Sequence, residues 1–182
     1  GALEKLRLAW STHERAGTTN SIEAAGVLRQ FAHAHARRGS REDARSNFAA
    51  ARALHEAAGT TGSSEFATLC VLEGEWLIEE GDRAGASARL RTAIGIFAAL
   101  GMSGCHDAVK ARETLKKQVI QSFQNIEASL DFTVDKSALL QVLERLGLHI
   151  TLEQFDAALA QGAAPGATCY EAFLTWVFQD AA

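Results

Sequence analysis

Residues 40–59 read SREDARSNFAAARALHEAAG, and one triplet within this stretch decides the fold. Ala44, Phe48 and Ala51 have a small–large–small spacing that falls on one face of a helix. The same spacing recurs at one fixed step to either side, because 44 − 2 and 86 − 44 are both 42. A fixed step of this length predicts stacked helical repeats. The equivalent positions are Ala2, Leu6 and Ala9 before the triplet and Ala86, Leu90 and Ala93 after it.

Glycines follow the same step and mark the predicted helix ends. Gly17, Gly59 and Gly101 are separated by this 42-residue step, and so are Gly39 and Gly81. Glycine takes the left-handed conformation that closes a helix more readily than any other residue. A single proline among 182 residues also fits an almost wholly helical chain. The predicted fold class is therefore all-α.

The glycines divide the chain into two full units, at residues 21–59 and 63–101, and a half unit at residues 1–17. Each full unit contains two predicted helices. Ser40 is the expected N-cap of one of them, with Asp43 completing a capping-box-like pair. The half unit implies a preceding helix that was cut off or comes from elsewhere. The four helices of the full units are predicted at residues 22–38, 41–58, 64–80 and 83–100.

These units resemble tetratricopeptide repeats, in a 42-residue form similar to that of kinesin light chains. The small–large–small signature of the family falls on the three triplets, and its small residue in the first helix falls on Ala32 and Gly74. The chain lacks the proline that normally ends each unit, and Gly59 and Gly101 stand in its place. The resemblance implies an antiparallel helix-pair solenoid over residues 1–105. An unrelated alanine-rich helical bundle is the alternative.

The resemblance also implies a groove that is lined by the first helix of each unit and binds a partner. These helices contain no asparagine, so the Lys, Asn and Arg clamp of chaperone-tail-binding repeats is absent. The basic residues of the groove are expected either to bind an acidic partner or to pair with the groove's own glutamates. Carried over by position, the groove residues are Arg29, His33, Arg37, Glu75, Ile78 and Glu79.

After Gly101 we expect the 42-residue step to stop. Residues 107–128 form a predicted amphipathic helix that covers the last unit. From Val119 onward the chain resembles a calmodulin-like pair of EF-hands, most specifically in LLQVLERLGLHITLEQFDAAL at residues 139–159. The resemblance implies a second region, residues 106–182, with a linking helix and an EF-hand-like four-helix lobe. Its hydrophobic cup would bind a partner helix through Val142, Leu146, Phe155, Leu159, Phe173 and Trp176.

The calcium ligands that such loops need are missing. In the first loop, residues 127–138, Phe132 replaces the glycine at the sharp turn and Ala138 replaces the bidentate glutamate. The second loop, residues 161–172, has almost no carboxylates and contains Pro165. We therefore expect no calcium binding at physiological levels. A calcium-regulated sensor with a working first loop is the alternative.

Composition narrows the class of function. A net charge of −4 argues against a nucleic-acid partner, and no apolar run approaches the ~18 residues of a membrane span. Cys70, Cys105 and Cys169 are an odd, dispersed set, which suggests reduced thiols inside a cell. His13 and His55 occupy equivalent positions, which favours a structural role over a metal site. No motif indicates catalysis or a cofactor.

The sequence thus predicts a non-catalytic protein–protein interaction module, a scaffold or adaptor that holds a helical or extended segment of another protein. It needs no cofactor, and no metal site is expected. A cytoplasmic location is expected, with a cytoskeletal or ciliary assembly suggested by the two resemblances. The repeat region of a transcriptional regulator is a further alternative, against which the EF-hand-like tail and the lack of a DNA-binding helix pair both argue.

Overall fold

The computed structural model of the protein describes residues 1–127, 151 and 153, and residues 1–127 contain six helices and no strand. This confirms the all-α class. Each helix predicted between residues 1 and 127 forms, and its ends lie within two residues of the expected ones. The helices are α1 (Ala2–Ala16), α2 (Ile22–Ala36), α3 (Arg41–Ala57), α4 (Ser64–Glu79), α5 (Arg83–Ala99) and α6 (His106–Glu127).

The periodic glycines close the helices as predicted. All five have a positive φ, between 66° and 84°, which is the left-handed region. At the end of α3, the Gly59 N–H donates to the Glu56 carbonyl at 3.1 Å and the Thr60 N–H to the His55 carbonyl at 2.9 Å. These two bonds occupy carbonyls that the end of a helix would otherwise leave without a partner. The glycines with positive φ are Gly17, Gly39, Gly59, Gly81 and Gly101.

The helix starts reveal that the 42-residue step does not stop at Gly101. Ser21, Ser63 and Cys105 precede α2, α4 and α6, and they are separated by the same 42-residue step. Each side chain accepts a hydrogen bond from the N–H three residues on, at 3.2, 3.2 and 3.4 Å respectively. The expectation that the step ends before α6 is therefore wrong. In this step, the start of α6 is equivalent to the starts of α2 and α4, the first helices of the two full units.

The predicted cap of α3 differs from its counterpart in α5. Ser40 makes no side-chain cap bond, and the Asp43 carboxylate instead lies 3.4 Å from Nδ1 of His35. The expected capping-box-like pair is therefore absent. At the equivalent position, Oδ1 of Asp82 accepts a hydrogen bond from the Gly85 N–H at 2.9 Å. A carboxylate thus performs here the capping role that the serine does not.

The core is built on the periodic triplets. α3 packs on α2, and α5 packs on α4 and α6, while α2, α4 and α6 also contact one another in chain order. The triplets of α3 and α5 are buried, with exposures of 0–1 %. A Cβ added at Gly74 would lie 2.9 Å from Cγ of Leu90, so a small residue is required where the two helices meet. The α1 triplet differs, because no residue of α1 is fully buried.

Candidate protein-interaction site

One row of side chains along each of α2, α4 and α6 stays exposed or half-buried. Residues within a row are three or four apart, which places them on one side of their helix. The three rows occupy equivalent positions in the 42-residue step, and we call them together the open face. Its residues are Glu23, Gly26, Gln30 and His33 on α2 with Arg37 directly after it, Glu65, Thr68, Leu72, Glu75 and Glu79 on α4, and Asp107, Lys110, Thr114, Lys117 and Gln121 on α6.

Two polar contacts join the rows of α4 and α6. The Thr68 hydroxyl donates to Oδ2 of Asp107 at 2.8 Å, and Nζ of Lys110 lies 2.7 Å from Oε1 of Glu75. These contacts show that the equivalent rows of α4 and α6 lie side by side. They also correct the expected pairing, in which Glu75 would face a basic residue of α2. Its ion-pair partner lies on α6, a helix that was not expected to contribute to this surface.

Four of the six predicted groove residues lie on the open face. Arg37 and Glu79 are exposed, while His33 and Glu75 are half-buried. Ile78 does not belong to the three rows and packs, partly buried, against the hydrophobic core, as the open-face residue Leu72 also does.

Arg29 also lies off the open face. Its side chain is half-buried, and its Nε is buried without a hydrogen-bond partner. It lies close enough to Glu65 and His55 to affect their titration.

The open face is divided by charge. Glu65, Glu75 and Glu79 make the α4 row acidic, whereas Arg37 of α2 and Lys117 of α6 are basic and exposed. A hydrogen bond from its own backbone N–H, followed by one from the Ser64 hydroxyl at 3.1 Å, lowers the pKa of Glu65. The equivalent Glu23 has its pKa lowered by the backbone and by the Ser21 hydroxyl. The starts of α2 and α4 therefore favour the charged form of these two glutamates.

The structure contains a buried charge cluster that was not predicted from the sequence. Glu73 of α4 is 5 % exposed, and its Oε2 lies 3.2 Å from Nε of Arg52 on α3 and 3.0 Å from Nε of Arg89 on α5. Burial raises the pKa of Glu73, and the two guanidinium groups oppose that rise. The equivalent positions hold Phe31 and Leu115, so no repeated pattern signals the cluster. It joins three neighbouring helices in the interior rather than presenting charge to a partner.

Two reactive residue types have structural surroundings. Cys70 is fully buried, and burial raises its thiol pKa to about 12, which keeps it protonated. Nδ1 of His55 lies 2.9 Å from the Thr60 hydroxyl, and His13, one 42-residue step earlier, makes the same contact with Thr18 at the same distance. The two histidines therefore make the same contact at the ends of α1 and α3. Among the residues described, no group of three potential metal ligands occurs.

The six predicted cup residues and both predicted calcium loops lie outside the residues that the structure describes, apart from Glu127 at the start of the first loop. The cup residues are Val142, Leu146, Phe155, Leu159, Phe173 and Trp176.

Comparison of the chain with protein-family models, with curated proteins and with solved structures finds no match in any of the three. Among the helices described, none combines the length and apolar character needed to cross a membrane. The open face and the buried cluster therefore have to be interpreted from their own chemistry.

Proposed function

We propose that the chain is a non-catalytic protein–protein interaction module, built as a tetratricopeptide-like array of helix pairs. Its open face binds a segment of another protein across α2, α4 and α6. The observation that carries this proposal is the presence of equivalent rows of exposed or half-buried residues on three helices that contact one another in chain order. A repeated, uncovered row along successive helices is the surface that helical-repeat proteins use for binding.

The repeated details support the array. Helix-closing glycines, capping side chains and core triplets all keep one 42-residue step. Contacts run between helices that are adjacent or next but one in the chain. A chain with these two properties stacks its units in a line, so equivalent positions form continuous strips.

The rows also indicate what kind of segment fits. Glu75 is already paired with Lys110, whereas Glu79 is exposed and forms no ion pair with any residue between 1 and 127. Leu72 lies half-buried between these acids and the start of the helix. A basic residue in the partner would complement Glu79, and an apolar neighbour would cover Leu72. The preferred partner is thus a segment that combines basic and apolar side chains.

A selection from a random peptide library displayed on phage tests the proposal. Peptides enriched on the full chain are measured by fluorescence anisotropy, and we expect a Kd of about 1–100 μM, as is usual for short segments. Leu72→Ala combined with Glu79→Arg should weaken binding at least tenfold, because it reduces the apolar contact and inverts the charge. Since Leu72 also packs against the hydrophobic core, circular dichroism checks that the double variant keeps its helix content. Ser46→Glu is the matched control, since Ser46 is exposed on α3 and away from the open face.

Each outcome of this experiment either supports or contradicts binding at the open face. Enriched peptides that lose affinity with the double variant and keep it with Ser46→Glu support binding at the open face. A selection that enriches no specific peptide would contradict the proposal. So would peptides whose affinity is the same for the double variant and for the unchanged chain.

A further inference from the structure

The buried charge cluster connects three helices through one carboxylate. Oε2 of Glu73 on α4 lies 3.2 Å from Nε of Arg52 on α3 and 3.0 Å from Nε of Arg89 on α5. Glu73 is buried, while the two arginines are half-buried. A single oxygen atom thus contacts cations from the helix before α4 and from the helix after it.

The cluster lies where two units meet, and the other contacts of this kind are apolar. α3 ends the first full unit and α4 begins the second, and the same type of contact recurs between α1 and α2 and between α5 and α6. The positions equivalent to Glu73 and Arg52 therefore change together, from apolar in both of those contacts to charged in this one. The apolar equivalents, all buried or partly buried, are Phe31 and Leu115 for Glu73 and Trp10 and Ile94 for Arg52.

Charged and apolar contacts restrict the position of a helix to different degrees. Apolar packing is non-directional, and a core that keeps its volume loses its unique arrangement before it loses stability. An ion pair holds only while its atoms stay in reach. A shift of α4 by one residue moves its side chains about 1.5 Å along the axis and turns them by about 100°. Such a shift would leave the buried Glu73 carboxylate without its cations, which is costly.

Stability alone does not account for a buried cluster of this kind. Replacing all members of a buried ion cluster by apolar residues often leaves a protein as stable as before, because the cost of removing charges from water offsets their attraction. The best-supported role of buried polar groups between helices is to fix one arrangement among several that apolar packing would allow.

We propose that the Arg52–Glu73–Arg89 cluster fixes the register of α4 between α3 and α5, that is, its rotation and its position along the helix axis. The cluster selects one native packing rather than adding net stability. The same register sets the α4 row of the open face, because Glu75 lies two residues after Glu73 and pairs with Lys110 on α6. The inference goes beyond the proposed function and does not require that the open face binds a partner.

The chain itself supplies the substitutions for a test. Arg52→Ile, Glu73→Leu and Arg89→Asn introduce the residue types that the equivalent positions of α5, α6 and α3 already carry. We expect the urea midpoint of this triple variant, followed by circular dichroism, to be at least as high as that of the original chain. Its ¹⁵N–¹H spectrum should contain a second set of amide signals along α3, α4 and α5, at about 10 % of the total intensity.

A second variant and a matched control complete the experiment. Arg52→Ile with Glu73→Leu retains the half-buried Arg89, which can turn to solvent, and should give the same second set of signals. Arg41→Gln with Glu80→Gln is the control. This ion pair also joins α3 to the end of α4, at 3.0 Å, but the Arg41 side chain is 73 % exposed. Water can replace an exposed partner in any register, so the control should keep one set of signals.

Four results would overturn the proposal. A single set of sharp signals in both variants would mean that apolar packing alone fixes the register. A urea midpoint below that of the original chain in both variants would mean that the cluster acts through stability. A second set of signals in the control would remove the distinction between buried and exposed pairs. A second set whose share grows with protein concentration would indicate association between copies.

Discussion

Truncation of equivalent leucines gives the sharpest energetic prediction. Leu90 and Leu6 hold the same position in the 42-residue step, but Leu90 is 0 % exposed and Leu6 is half-buried on α1. Leu90→Ala removes three carbon atoms, which loses about 2–2.5 kcal/mol of transfer free energy. The cavity beside Gly74 raises the expected cost to about 3–4 kcal/mol. Leu6→Ala leaves no enclosed cavity and should cost about 1 kcal/mol or less.

Urea unfolding followed by circular dichroism measures both costs. The unfolding midpoint should fall much further for Leu90→Ala than for Leu6→Ala, with the slope m unchanged in both. In thermal unfolding the Leu90 variant should lose roughly 6–15 °C for a chain of this size. Equal costs for the two variants would refute the reasoning, because Leu6 would then be as fully covered in solution as Leu90.

Three further predictions concern a cap, a buried histidine and the buried charge cluster. Asp82→Ala should cost about 1 kcal/mol in urea unfolding, while Ser40→Ala should cost little, because only Asp82 makes a side-chain cap bond. Burial lowers the pKa of His55 in the folded chain. The stability that neutral His55 contributes is therefore complete above the pKa of about 6.5 of the unfolded chain, and it is lost as the pH falls below that value. His55→Phe should reduce the drop in urea midpoint between pH 7 and pH 5. Glu73→Ala should cost about 2–4 kcal/mol in the same assay, because it leaves two guanidinium groups facing each other.

Each of these three has its own contradicting result. Equal losses at positions 40 and 82 would mean that the Asp82 bond contributes nothing. An unchanged pH dependence in His55→Phe would show that His55 titrates alike in the folded and unfolded chain. Helix α5 carries Phe97 at the position equivalent to His55, so the substitution is compatible with the fold. A Glu73→Ala chain as stable as the original would place the two guanidinium groups in contact with water rather than with Glu73.

The helices and their ends could be predicted because each depends on residues close together in the chain. Gly59 and Gly101 close helices through bonds that reach only a few residues back. The small–large–small triplet likewise identifies a packed face wherever it recurs. These signals are local, and each recurs at the 42-residue step. The same helix end or packed face could therefore be predicted in successive units.

The parts that were missed depend on contacts between distant residues or on unusual chemistry. Cys105 caps α6 with a thiol, a weak acceptor that the usual cap residues do not suggest, so the continuation of the step went unseen. The partner of Glu75 therefore lay on a helix thought to be outside the groove. Arg52 and Arg89 contact Glu73 from separate helices, and the spacing of these three residues in the sequence does not predict the contact.

The most direct test of binding at the open face is NMR mapping of a library-selected peptide on the ¹⁵N-labelled chain. We predict that amide shifts concentrate on the three rows, around His33, Leu72, Glu79 and Lys117, with little change at Ser46 on α3. Shifts that concentrate on the exposed side of α3 and α5 and spare these rows would contradict it.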